Sequence, residues 1–577
     1  MNKNRKSIAI VSVCSFFWAM FILFGNMEYE GNDDVLINLL SAGALGDNTP
    51  FLVYNDYWFG LLIDALYHIF PYVNCYLWFY LVLNFISISV LCFIFSNKLS
   101  ATRAVIVTIA INCLLSYDFY NYIQYTKNAM LYSITGMIVL LWMMFELRAL
   151  NWLFTIGGSF LIMLGFGIRH EAFLLSVPYA FGILLILIVF DFIKEQKIKR
   201  SMLAIIIILP GLLCMLSSIT DYIFCKSNSN WSEYYKIDSI LIEMRDFYQH
   251  KYVDAPDEYL AAGITETDFE MIGNWVWNDP EQFTLSKLQK LSEIGDRFRT
   301  DKVHFYKEMI WKVGNKIGDS MMNKGIAILF LVLFLLSMTM DTKTRIINCY
   351  LFSILALELF YIVCRGRFVW RAEICVWLPA ILLSSYYGLL FIKNRYSFEG
   401  NYNSEDNKGN VDNYRTFINK AFVCLQILII LGCVFSWRFF QFYNNGYQNT
   451  NEDTEGYELV QKINASDAFF VVHVVNMGKL LGAKNVFEID CRYKGCYSNS
   501  TFLGAWLIPS PIARDSYQKH GIDNPIKNLV DDNVYCIASE GIIDLLKRFL
   551  EEKYGYNVKV SQETIDGISA WKFSSYN

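Results

Sequence analysis

The chain reads as a mainly α-helical polytopic membrane protein with a small C-terminal extracytoplasmic α/β domain. Three observations predict this. Hydrophobic residues make up 55% of the 577 positions and aromatics 17%, against 18% charged, which is too apolar for a soluble chain of this length. Long apolar runs recur as far as residue 437. Beyond residue 441 the pattern changes to alternating amphipathic and β-rich pieces, as in a small α/β fold.

The runs at 7–25, 73–95, 104–115, 129–145, 152–168, 172–190, 202–219, 325–340, 346–364, 372–392 and 417–437 read as spans. That makes about eleven crossings, at roughly 20 apolar residues per crossing. The 104–115 run is short and is expected to extend at both ends. The 58–70 run carries Asp64 and His68 and is too short to cross, so it reads as an interfacial helix or a re-entrant piece. Lys3, Arg5 and Lys6 precede the first run as in a secretory signal, but Asn26-Met27-Glu28 is a poor cleavage site; the run is expected to be retained as a first span.

Cationic residues fall in alternate connections: Lys98 and Arg103; Arg148; Lys194, Lys197, Lys199 and Arg200; Lys343 and Arg345; Lys393 and Arg395. The connection 26–57 has no Lys or Arg. By the positive-inside rule the N-terminus is then cytoplasmic and the tail lies outside the cell membrane. Four segments follow: an N-terminal transmembrane module at 1–220, an outer helical loop at 221–324, further transmembrane helices at 325–438 and an outer α/β domain at 439–577. The Asn-, Asp- and Gly-rich stretch 397–416 is a linker. In the tail, 457–463 and 541–554 are expected to be helical, and 468–475, 533–538, 558–560 and 570–573 extended.

A net charge of −5 argues against nucleic acid as a partner. Most of the 14 cysteines sit in apolar runs as small hydrophobes, and none has zinc-site spacing. Cys491 and Cys496, in a polar tail, are candidates for a local disulfide or for two free thiols.

Three constellations could carry chemistry. Asp33 and Asp34 form a carboxylate pair just past the first span. One could accept a proton from, or orient, an acceptor hydroxyl while the other binds acceptor or metal; Asp33 or Asp34 could equally cap a helix over 35–44, and the two readings are compatible. Arg365, Arg367 and Arg371 lie at an outer membrane face, where cations are disfavoured. Guanidinium forks there match phosphate oxygens, although pairing with Glu373 or lipid headgroups is an alternative. Arg169, His170 and Glu171 interrupt two apolar runs, either as a site or as a polar hairpin. Asp118, with Lys127 nearby, is a further acidic ligand candidate, and Asp56 and Asp64 are weaker ones. The spans are otherwise nearly free of mid-membrane charge. No Gly-rich phosphate loop, GxSxG or HExxH pattern is present.

The acidic pair after the first span, the many later spans and the soluble tail together resemble the GT-C superfamily of membrane glycosyltransferases. The chain is also similar to a group of multi-pass proteins of Gram-positive bacteria, along Gly31–Asp34, Gly167–Arg169, 231–247, 275–283, Arg365–Arg367 and Gly504–Trp506. The resemblance implies a polyprenyl-phosphate sugar donor and transfer to a cell-surface glycan, lipid or protein on the outer face. It implies Asp33 as base with Asp34 as its partner. Arg365, Arg367 and Arg371, with Arg169, become ligands of the lipid phosphate. Asp118, His170 and Glu171 become candidates for acceptor or metal contact. A divalent metal is an open expectation, because the second acidic site has no DxD or ExD pair. The rival readings are a surface-polysaccharide polymerase or ligase, and a transporter or flippase with an outer domain.

Overall fold

The structure is a computed structural model. It describes residues 3–25, 27–30, 32–193, 200–244, 250–297, 310–316, 318, 326–365, 368–399, 454–473, 494–495 and 497–576. The expected span at 417–437, most of the 397–416 linker, Arg367, and the Cys491/Cys496 pair lie outside the described residues.

The chain divides into two compact units, neither contiguous: Met1–Glu30 with Trp78–Ser217 and Lys307–Asn449, and Gly31–Leu77 with Ser218–Tyr306 and Thr450–Asn577. The three pieces of the second unit come from the connections and tail that the charge pattern assigns to the outer side. The four contiguous segments expected from the sequence are thus regrouped.

The first unit is that of a membrane protein. Among the described residues, eight helices are long and apolar enough to cross a bilayer: Asn4–Phe24, Cys75–Ser96, Ala101–Asn121, Tyr125–Leu147, His170–Phe192, Arg200–Lys226, Thr342–Cys364 and Trp370–Phe391. The 104–115 run extends at both ends, as expected. Trp152–Ile168 and Ile326–Ser337 are apolar but shorter, at 17 and 12 residues. Small residues set the packing of Trp152–Ile168 on Tyr125–Trp142. A Cβ on Gly165 would stand 2.0 Å from Ser133 Oγ, and one on Gly136 would stand 2.4 Å from the Gly158 carbonyl oxygen. Close backbone approach replaces the hydrophobic drive that lipid cannot supply. Between the first and fourth spans runs a two-residue parallel pair, β1 (Glu28–Tyr29) with β2 (Tyr122–Ile123).

The second unit has one hydrophobic core, shared by the 241–294 helices and the tail. Its five-stranded sheet comprises β3 (Phe469–His473), β4 (Ser500–Leu503), β5 (Val534–Ile537), β6 (Asn557–Ile565) and β7 (Ile568–Tyr576), ordered β4-β3-β5-β7-β6. β4, β3 and β5 run parallel; β7 pairs antiparallel with β5 and β6. The strands expected at 558–560 and 570–573 are both longer. They form a hairpin turning at Asp566 (φ 51°) and Gly567 (φ 77°), the Asp-Gly pair that a two-residue turn with two positive φ values requires. The 58–70 run is a helix, Tyr57–Ile69, whose Gly60 lies against Pro50: a Cβ there would sit 1.8 Å from the Pro50 carbonyl oxygen.

Two helices tie the loop to the tail. Leu285–Arg297 presents Leu288, Leu291 and Ile294 to the core at helical spacing, and Phe283 stacks on Phe549 of Glu540–Tyr554 (5.9 Å, 9°). Asp279, fully buried, accepts hydrogen bonds from Tyr554 Oη (2.7 Å), Asn524 Nδ2 (2.9 Å) and the amides of Glu281 and Gln282 (3.0 Å each). Burial raises its carboxyl above the ordinary range, against the pull of those bonds. The folded form therefore holds its proton to higher pH than the unfolded form. Its contribution to stability is full in acid and declines as pH rises from about 3.9. Asp279→Ala strands four donors and should cost about 3 kcal/mol, read as a lower Tm of the purified protein. Asp279→Asn should flatten the pH dependence in that acidic window.

Candidate functional site

In the second unit the acidic pair opens a helix. Asp33 and Asp34 occupy the first turn of Asn32–Ser41, where the helix dipole favours negative charge. Successive residues on a helix point about 100° apart, so two adjacent acids cannot share one environment. Asp34 is fully buried and accepts a 2.9 Å hydrogen bond from Tyr76 Oη. One turn on, buried Asn38 is hydrogen-bonded by Tyr67 Oη, which also reaches Asn74 Oδ1 at 3.4 Å. Asn74 Oδ1 in turn accepts from the Leu77 amide at 3.0 Å, at the start of Cys75–Ser96. The inward face of the helix is thus anchored by a polar ladder.

Asp33 is only half-buried. Its Oδ1 accepts a 3.0 Å hydrogen bond from Trp506 Nε1. Trp506 is fixed on two further sides: its ring lies 4.9 Å from that of Tyr54, and its carbonyl accepts from Tyr234 Oη at 3.1 Å. The pair therefore divides into an anchor, Asp34, and an oriented, accessible carboxylate, Asp33. A carboxylate so held, with one oxygen engaged, can take a proton on the other.

The first unit carries a separate charged cluster. Lys127, wholly buried, has its ammonium 2.6 Å from Glu30 Oε2 and 3.2 Å from Asp118 Oδ1 and donates to the Tyr122 carbonyl at 2.5 Å. Asp118 sits in a wide turn, Tyr117–Asn121, that continues Ala101–Ser116, and it also accepts from Trp370 Nε1 at 2.9 Å. Glu30 is delivered by the β1–β2 pairing, with its amide on the Ile123 carbonyl at 2.9 Å. Beside Lys127 on the same helix, Tyr125 meets Arg169: the guanidinium is 3.4 Å from its hydroxyl and 5.6 Å from its ring centre. Arg169 also pairs with exposed Glu171 at 2.8 Å, while His170 stacks on Phe166 (4.1 Å, 25°).

Asp118, Arg169 and Glu171 are thus gathered around the 122–127 segment. Trp370 brings to Asp118 the start of the helix that carries Arg371. Arg365 and Arg371 are both half-buried. Glu373 is buried and accepts from Trp377 Nε1, one turn along its own helix, at 3.2 Å. Asp33 and Asp34 belong to the second unit, and Asp118, Arg169, Arg365 and Arg371 to the first.

Sequence reasoning gave no role to Glu30, Tyr76 or Trp506 and mentioned Lys127 only in passing. Tyr76 and Trp506 sit in aromatic or apolar surroundings that read as core. It also counted the spans as nearly free of charge. Glu358, 8% exposed within Thr342–Cys364, is one ionisable side chain inside a span. Among the described residues no group of three or more His, Cys, Asp or Glu is placed to hold a metal ion.

No family model, curated protein or solved structure matches the chain.

Lys127 is the cation between two carboxylates in the interior, so Lys127→Met should cost about 3–5 kcal/mol, seen as a large fall in Tm. Adding Glu30→Gln and Asp118→Asn should recover most of that loss.

Proposed function

We propose that this membrane protein is a glycosyltransferase of the GT-C kind, moving a sugar from a polyprenyl-phosphate donor to an acceptor hydroxyl on the outer face of the membrane. The observation that carries this reading is the split of the acidic pair. One carboxylate is buried as an anchor, and its neighbour is held half-exposed on an indole N–H.

Asp33 takes the proton of the acceptor hydroxyl as its oxygen attacks the anomeric carbon. The bond from that carbon to the phosphate oxygen breaks, and its electron pair leaves with the polyprenyl phosphate. Arg169, Arg365 and Arg371, together with Arg367, are the groups proposed to bind that phosphate. Fixed cations stabilise charge as it develops on the leaving group, and guanidinium presents a matching fork. Asp34 acts through position, by holding the first turn against Tyr76. Donor and acceptor classes, the outer location of the site and the cytoplasmic N-terminus all belong to this proposal.

The test uses purified protein in liposomes with a radiolabelled polyprenyl-phosphate hexose. Asp33→Asn should lower transfer at least ~100-fold, the range of a lost general base, with Tm unchanged. Asp34→Asn should lower Tm. Full activity of Asp33→Asn would remove its role and favour a polymerase or ligase working through the arginines alone.

A further inference from the structure

The structure points to a second feature of the unit that holds Asp33. In an open sheet with parallel strands, ligands settle outside the carboxyl ends where the strand order reverses. Here the order β4-β3-β5 places that reversal between β3 and β5, and the last residue of β3 is His473. The side chain alternates onto the same face as Phe469 and Val471, the face that packs on the shared core. It is 6% exposed. The ring faces the backbone of Asn274, and Nε2 has no hydrogen-bond partner among the described residues. A polar ring nitrogen this deep is costly unless it has a use.

The chain over this edge is strained and rich in aromatics. Trp275, next to Asn274, is held at φ 66°, a conformation that bulky residues rarely adopt and that concentrates at ligand clamps. Its ring stacks against Trp277 (5.7 Å, 27°) and is half-exposed. Gly504 (φ 83°) directly follows the β4 residue in register with His473, and a Cβ on it would come within 2.9 Å of the Trp275 carbonyl oxygen. Asn278 closes the junction, donating to the Phe502 carbonyl at 2.6 Å and accepting from the Gly504 amide at 3.2 Å. Two residues on, Trp506 holds Asp33 and lies on Tyr54. One short edge therefore carries the half-exposed rings of Trp275 and Tyr54, buried Trp506, an imidazole nitrogen without a hydrogen-bond partner among the described residues, and the oriented carboxylate.

We propose that this edge, with His473, Trp275, Trp506 and Tyr54 beside Asp33, binds a saccharide, and that the acceptor of the proposed transfer is a glycan. The second clause rests on the transferase reading; the first does not. A pyranose presents apolar C–H faces that lie on aromatic rings and hydroxyls that pair with a few convergent polar groups. A lipid tail would leave His473 and Asp33 unmatched. An extended peptide adding to a sheet would need an open strand edge, whereas all four residues of the edge strand β4 are buried.

The test is saturation-transfer NMR on the full chain in nanodiscs, with a pool of four neutral tetrasaccharides: cellotetraose, chitotetraose, maltotetraose and mannotetraose. At least one should receive saturation at its ring protons. Trp275→Gly suits the left-handed backbone and removes the ring; it should weaken binding at least ten-fold and leave Tm within a few degrees. His473→Phe keeps the packing and removes the nitrogen, and it should weaken binding several-fold. Asp33→Asn should still bind. No transfer of saturation to any of the four, or binding unchanged in both Trp275→Gly and His473→Phe, overturns the proposal. Saccharide binding by a protein that never consumes polyprenyl-phosphate sugar would refute the transferase reading and leave this site standing. Sugar transfer without saccharide binding would do the reverse.

Discussion

The second unit depends on one core built from segments far apart in sequence. Asp279 meets Tyr554 across 275 positions, and Tyr234 meets the Trp506 carbonyl across 272. Asp33 is held across 473. No local rule brings these together; only burial of the 241–294 helices against the tail sheet does. The placement of Asp33 is inherited from that core through β4, Gly504 and Trp506. A loss of packing around Phe283 and Phe549 therefore reaches the carboxylate without touching it.

The first unit is governed by the opposite problem. Hydrocarbon demands that backbone polar groups be met within helices and that charge be avoided or paired. The exceptions are instructive. Lys127 is tolerated at full burial because Glu30, Asp118 and the Tyr122 carbonyl surround its ammonium. Two acids around one lysine leave the group net negative, and Trp370 Nε1 supplies a further donor to Asp118. Such a centre gains little stability over apolar packing but is costly to break. Its effect is to fix the 28–30 strand and the 117–123 turn in one arrangement.

Much of the fold was legible in the sequence. Ten of the expected spans coincide with apolar helices among the described residues, because hydropathy over a full crossing is a strong signal. The helices Thr454–Ala465 and Glu540–Tyr554 and the strands β3 and β5 also lie where periodicity placed them. β4 escaped because four residues, Ser-Thr-Phe-Leu, give too short a pattern to read. The hairpin β6–β7 was underestimated because its polar, exposed outer positions hide the strand period until the Asp-Gly turn is used. The candidate site was legible only as residue types. The sequence offered two equivalent acids; helical geometry makes them inequivalent, with Tyr76 claiming one and Trp506 the other.

That inequivalence is the central claim, and Trp506 tests it most directly. The Trp506→Phe protein keeps an aromatic ring against Tyr54 but removes the N–H that holds Asp33. The rate of sugar transfer from a polyprenyl-phosphate donor at saturating acceptor should fall by roughly 10- to 100-fold, as expected of a misplaced catalytic group, while Tm stays near that of the parent. A transfer rate equal to the parent's would contradict the account.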